Sequence, residues 1–137
     1  MSNPIVQNIL ITMVAALAGM LLNLVLVEYS FYFISPPEGV NLTTEDGLQS
    51  AMSLMEPKHF LMPFLAHALG TFVSAVLVSR FTTERQFSRA MLLGFLFLSG
   101  GIYMARAWSS PLWFNIIDLG LAYLPMAYLG YLLGRKG

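Results

Sequence analysis

Residues 5–33 read IVQNILITMVAALAGMLLNLVLVEYSFYF, and Glu28, near the end, is the one charged residue in this stretch. A helix rises about 1.5 Å per residue and the hydrocarbon core of a bilayer is about 30 Å thick, so about 20 apolar residues can cross it. The stretch is therefore long enough to span a membrane and to tilt or protrude. Asn3 as N-cap and Pro4 at the first helical position predict where the helix begins.

A cleaved signal peptide is the alternative interpretation of this first stretch. Signal peptides carry basic residues before a short apolar core and a small-residue cleavage site after it. Residues 1–8 contain no Lys or Arg, the apolar core is too long, and no A-x-A site follows. We therefore expect an uncleaved first span.

Three further stretches have the same apolar character, and they run from about residue 58 to 80, 87 to 108 and 111 to 133. The connections between them are short, which predicts antiparallel neighbours. The one long loop covers residues 35–57. Within it, Thr43 and Thr44 precede two acidic residues, and Leu48, Met52 and Met55 recur at helical spacing. This pattern predicts a short amphipathic helix at the membrane surface.

The predicted fold class is an all-α membrane protein. Residues 1–137 form a single four-transmembrane-helix domain, an antiparallel bundle with the short amphipathic helix in the outer loop between helices 1 and 2. Composition supports this, because 57% of the chain is hydrophobic and 10% is charged, whereas soluble domains carry about a quarter charged residues. The expected partner of the apolar surface is the lipid bilayer.

Charge and cysteine content exclude several kinds of function. Seven basic and seven acidic residues cancel, so bulk charge gives no reason to expect a nucleic-acid partner. The chain has no cysteine, which excludes disulfides, thiolate metal sites and cysteine nucleophiles.

The positions of the basic residues predict the orientation, because cytoplasmic loops near span ends retain Lys and Arg. Five basic residues lie beside the connection between the second and third spans or after the fourth span: Arg80, Arg85, Arg89, Arg135 and Lys136. The opposite side holds only Lys58 and Arg106. Both termini are therefore expected in the cytoplasm, with the long loop outside.

Helix association in lipid depends on close backbone approach and interhelical hydrogen bonds. Ala66, Gly70 and Ser74 form a small-residue stripe in the second span, and Gly130 and Gly134 form another in the fourth. Both stripes are predicted contact lines between helices.

Pro125 lies in the middle of the fourth span and frees the carbonyl of Leu121. Either it makes an ordinary kink or it marks a hinge that lines a site. The ordinary kink is favoured, because neighbouring helices commonly satisfy the freed group.

Polar side chains inside a membrane are costly and are candidates for a functional site. The candidate ligand-binding residues are His67, Asp118, Asn115, Glu28 and Arg106. All fall in the outer half of their spans, with His67 roughly 12 Å below the outer boundary. We expect an outward-facing pocket and a nearly inert cytoplasmic half, which argues against a complete proton or ion relay across the membrane.

Each of these residues also has a structural interpretation. His67 is either a buried neutral histidine that is hydrogen-bonded to a carboxylate or carbonyl, or one half of a proton-sensitive or ligand-binding couple with Asp118. Glu28 and Arg106 lie near enough to the interface to be solvated or to snorkel.

Metal, cofactor and catalytic sites are not expected. His59 and His67 are about two turns apart on one helix, too far to share a metal or to hold a haem between helices. The sequence contains no glycine-rich phosphate loop and no nucleophile with an evident base. An enzyme is therefore the least favoured class.

Two segments, HALGTF at 67–72 and SPLWFNIIDLGLAYLPMAYLG at 110–130, resemble a group of small, uncharacterised four-helix bacterial inner-membrane proteins. The resemblance implies a four-span bundle in a bacterial inner membrane and no particular activity. Two hypotheses of function remain. One is a small module that binds or transports a solute or ion, in which the loop helix acts as a lid. Such a module could act as a homo-oligomer. The other is an accessory or scaffolding subunit of a larger membrane complex.

Overall fold

A computed structural model describes residues 3–137. Its helices are α1 (Pro4–Glu28), α2 (Ser30–Phe33), α3 (Glu45–Met52), α4 (Leu61–Phe81), α5 (Gln86–Ala107), α6 (Leu112–Leu121) and α7 (Leu124–Gly134), with a 3₁₀ turn at Pro57–Phe60 before α4. Four spans are long and apolar enough to cross a membrane: α1, the 3₁₀ turn with α4, α5, and α6 with α7. The predicted fold class is confirmed, and the chain is a multi-pass membrane protein by its helices.

The first span begins as the sequence predicts and ends earlier. Asn3 accepts a hydrogen bond from the backbone N–H of Ile5 at 2.9 Å, and Pro4 is the first helical residue. The helix ends at Glu28, Tyr29 interrupts it, and the four-residue α2 follows. The single span predicted to reach residue 33 is therefore two helical pieces.

The loop between the first and second spans contains the predicted short helix. Thr44 caps α3 by accepting from the N–H of Gly47 at 3.1 Å, and a Cβ at Gly47 would overlap the carbonyl of Asn41. Ala51 is buried, so α3 packs against other parts of the chain. Gln49 also donates to Ser109 at 3.2 Å, which ties α3 to the turn before α6.

The central helix is α4, which packs against α1, α5 and α7. Its predicted stripe of Ala66, Gly70 and Ser74 is buried, and a Cβ at Gly19 of α1 would overlap Ser74 and the carbonyl of Gly70. Ser74 donates to the carbonyl of Ala15 at 2.6 Å. Close approach and one interhelical hydrogen bond therefore hold α1 on α4.

The second small-residue stripe is also a helix contact. A Cβ at Gly130 would lie 2.6 Å from the carbonyl oxygen of Phe72, and one at Gly134 would overlap the carbonyl of Val76. The backbones of α7 and α4 are thus in direct contact along this line.

The fourth span is broken rather than simply kinked. Helix α6 ends at Leu121, Tyr123 has non-helical torsion angles of φ −115° and ψ −82°, and α7 begins at Leu124. Pro125 is the second residue of α7, where its missing N–H costs no intrahelical bond. The proline thus lies in the first turn of a new helix, and whether this bend is an ordinary kink or a hinge stays a prediction.

The bundle has two ends. The loop end carries residues 34–57 and the turn at 108–111, and the terminus end carries Asn3, the turn at 82–85 and Gly137. The five basic residues that predict a cytoplasmic side all lie at or near the terminus end.

Candidate functional site

A buried carboxylate is the centre of the candidate site. Asp118, in the last turn of α6, is 4% exposed, and its Oδ1 lies 2.8 Å from Nδ1 of His67 on α4. The two residues are 51 positions apart in the sequence. The structure therefore joins the two residues that were predicted as a couple.

A third residue completes the arrangement. The Tyr123 hydroxyl donates to Oδ2 of Asp118 at 3.1 Å, and the Tyr123 ring stacks on the His67 ring with centroids 5.8 Å apart. Tyr123 is the non-helical residue between α6 and α7 and is buried. We call His67, Asp118 and Tyr123 the polar triad.

The surrounding fold holds the polar triad in place. Gly101 of α5 faces the Tyr123 hydroxyl so closely that a Cβ there would overlap it. On α4, Thr71 donates to the carbonyl of His67 at 2.9 Å, which satisfies its hydroxyl one turn from the imidazole. The site thus depends on α4, α5, and both halves of the broken span.

The hydrogen bonds leave one atom of the polar triad available. An ionised carboxylate only accepts hydrogen bonds, so Nδ1 of His67 is assigned as the donor to Asp118. Nε2 of His67 has no hydrogen-bond partner among residues 3–137, and 21% of the His67 side chain is exposed. Because the carboxylate fixes the ring orientation, Nε2 is presented for a proton or a ligand.

The other three predicted site residues lie apart from the polar triad. Asn115 bonds to Ser110, accepting from its hydroxyl at 2.8 Å and donating to its carbonyl at 3.4 Å. Glu28 and Arg106 are exposed, and no described carboxylate or basic group forms an ion pair with either of them. Asn115 therefore fastens the start of α6, and the structure does not bring Glu28 or Arg106 to Asp118.

His59 organises the loop and lies outside the polar triad. Its Nδ1 accepts from the N–H of Glu56 at 2.9 Å, and its Nε2 lies 3.0 Å from the carbonyl oxygen of Ser35. These bonds fix the beginning of the second span to the end of the first. Within residues 3–137, no three His, Asp or Glu side chains are grouped to hold a metal ion.

A small cavity lies next to the polar triad on the loop side. It has a volume of about 180 Å³ and is lined by Pro57, Phe60, Leu61, Phe64, Trp113, Phe114 and Ile117. We call it the aromatic groove. The polar triad does not line it, but Phe114 lies one helical turn before Asp118, and Phe64 one turn before His67.

Sequence reasoning missed a polar network at the terminus end. Asn8 is 2% exposed and pairs with Thr83, accepting from its N–H at 3.2 Å and donating to its hydroxyl at 3.3 Å. Arg89 donates to Thr12 at 3.1 Å from the start of α5. The half of the bundle at the terminus end, which was expected to be nearly inert, therefore contains a polar network. In the sequence, the one-turn spacing of Asn8 and Thr12 was the available sign of it.

In comparisons with protein-family models, curated proteins and solved structures, none matches this chain.

Proposed function

We propose that this protein is a small solute- or ion-binding or transport module whose site is the polar triad, opening toward the loop end. The observation that carries the proposal is a buried carboxylate, Asp118, held by His67 and Tyr123 where the fourth span is broken. Intramembrane ionisable groups commonly mark substrate or ion pathways. Broken helices at membrane depth commonly line binding sites in transporters.

The chemistry of the site favours a proton or a cationic solute. Asp118 supplies negative charge, and the imidazole of His67 can gain a proton on Nε2. The C-terminal end of α6, at Leu121, adds the partial negative charge of the helix dipole near Asp118. The aromatic groove lies on the loop side of these groups, and α3, which Gln49 ties to the turn before α6, would serve as a lid.

We infer from the basic residues at the terminus end that both termini lie in the cytoplasm. The bacterial inner membrane is proposed from the resemblance of residues 67–72 and 110–130 alone. In that orientation the loop end faces outward, and a ligand would arrive from outside.

The second candidate function is an accessory or scaffolding subunit. Both oxygens of Asp118 are already hydrogen-bonded, and the bonds connect α4 with both halves of the fourth span. The same arrangement can therefore serve only to lock the helices together. Such a subunit would act through a membrane-complex partner, and co-purification from native membranes tests that directly.

A ligand screen on matched variants separates the two functions. The proteins are wild type, His67→Ala, Asp118→Asn and the control Ser99→Ala, whose hydroxyl bonds only to the Phe95 carbonyl of its own helix. The measurement is the thermal unfolding temperature in detergent with a panel of monovalent cations, small amines and divalent metals.

We expect at least one cationic solute to raise the unfolding temperature of wild type and Ser99→Ala and to have no effect on Asp118→Asn. If no solute shifts wild type while both site variants are less stable, the polar triad is structural and the accessory-subunit function is preferred.

A further inference from the structure

A second cavity lies at the terminus end, far along the bundle from the polar triad. Its volume is about 490 Å³, and its walls come from the turn before α5, the start of α5, the last turns of α7 and the segment after α7. The lining residues are Thr83, Arg85, Gln86, Phe87, Tyr131, Lys136 and Gly137.

The cavity contains two cations that lack a protein counter-ion. Arg85 and Lys136 line it, and neither forms an ion pair with a carboxylate of the described chain. Glu84 is the one acidic side chain at this end, and it does not line the cavity. The lining therefore has two cationic side chains and no acidic one, an excess of side-chain charge that an anion can neutralise.

A hydroxyl adds a hydrogen-bond donor to these charges. The Thr83 oxygen accepts from Asn8, which leaves its own hydrogen without an acceptor among residues 3–137. Two cations and a hydroxyl are a donor set suited to phosphate oxygens.

The cavity lining also contains two aromatic rings. Phe87 and Tyr131 pack edge to face with centroids 5.3 Å apart, and the Arg135 guanidinium lies 5.7 Å from the Tyr131 ring centroid. Phe87 is 48% exposed, on a helix that spans the membrane. The lining therefore combines cationic and apolar groups, as a phospholipid combines a phosphate with acyl chains.

We propose that this cavity binds the headgroup of an anionic phospholipid, with the phosphate between Arg85 and Lys136 and the upper acyl chain against Phe87 and Tyr131. A zwitterionic lipid is disfavoured, because its ammonium group would lie among the same cations. The site is independent of the ligand proposed for the polar triad.

Lipid binding to the purified protein tests the proposal. Native mass spectrometry counts retained lipids, and thermal unfolding is measured with short-chain phosphatidylglycerol, phosphatidylcholine or inorganic phosphate. The test variant is Arg85→Gln with Lys136→Gln, and the matched control is Lys58→Gln with Arg106→Gln at the loop end. Each cation near a membrane surface contributes about a fivefold gain in affinity for anionic lipid, so the test variant should bind phosphatidylglycerol about 25-fold more weakly.

Two further variants guard against misfolding. Lys136→Gln alone changes a residue beyond the end of α7, so it cannot unfold that helix and should weaken binding about fivefold. Arg85→Lys with Lys136→Arg keeps both charges and should bind like wild type.

Three outcomes would overturn the proposal. They are equal binding by the test variant and wild type, an equal loss in the loop-end control, and stabilisation by inorganic phosphate that matches and displaces the lipid. The last outcome would identify free phosphate as the ligand.

Discussion

Gly130→Leu is expected to abolish the folded bundle, because the leucine has no room between α7 and α4. A Cβ at this position would lie 2.6 Å from the carbonyl oxygen of Phe72, 2.7 Å from Cβ of Ala75 and 3.1 Å from the backbone N of Val76. Backbone atoms cannot rotate away as a side chain can, so the helices must separate. We expect a loss of more than about 3 kcal/mol, at the upper end of overpacking effects.

The measurement for Gly130→Leu is size-exclusion chromatography in detergent together with thermal unfolding followed by tryptophan fluorescence. Gly100→Leu is the matched control, because a Cβ at Gly100 meets nothing within 4 Å and the position is exposed on α5. The control should elute and unfold like wild type. A folded, wild-type-like Gly130→Leu would show that α4 and α7 do not pack along this line.

Asp118→Ala is expected to destabilise the protein by about 2 to 4 kcal/mol. The change removes the acceptor for Nδ1 of His67 and for the hydroxyl of Tyr123, which lose their bonds of 2.8 Å and 3.1 Å. A buried donor left without a partner costs about 1 to 3 kcal/mol, and Tyr123 is 3% exposed. Thermal and denaturant unfolding in detergent measure the change.

A control and a rescue make this result specific. Asn115→Ala removes only two local, part-buried bonds to Ser110, so it should cost no more than about 1 kcal/mol. The triple variant His67→Leu, Asp118→Leu and Tyr123→Phe removes all three polar groups and should recover much of the lost stability, since apolar replacement of a buried polar set is often neutral. Asp118→Ala with wild-type stability would contradict the hydrogen bonds of the polar triad.

The sequence was sufficient to predict the architecture, because span length and hydropathy are local properties of the chain. Asn3 and Thr44 cap their helices as predicted, since a cap needs only a few neighbouring residues. The pairing of His67 with Asp118 was also predictable, because both lie at similar depth and a buried imidazole needs a partner.

The break in the fourth span and the polar network at the terminus end could not be predicted, because they depend on tertiary geometry. Pro125 is compatible with a kink or with the start of a new helix, and only the packing of Tyr123 against Gly101 and Asp118 distinguishes them. In the sequence, Tyr123 is one more aromatic residue in an apolar run. Asn8 and Thr83 are 75 residues apart, and no local pattern connects them.

Reaction of a thiol placed at position 67 tests most directly whether the site opens toward the loop end. The chain has no cysteine, so His67→Cys introduces a unique thiol, and Ile116→Cys is the matched control on the exposed, lipid-facing side of α6. A cationic, membrane-impermeant thiol reagent is added to the loop side of proteoliposomes of known orientation. We expect His67→Cys to react at least about tenfold faster than Ile116→Cys, because a charged reagent does not enter the hydrocarbon core. No reaction at position 67, or reaction only from the terminus side, would contradict a site that opens toward the loop end.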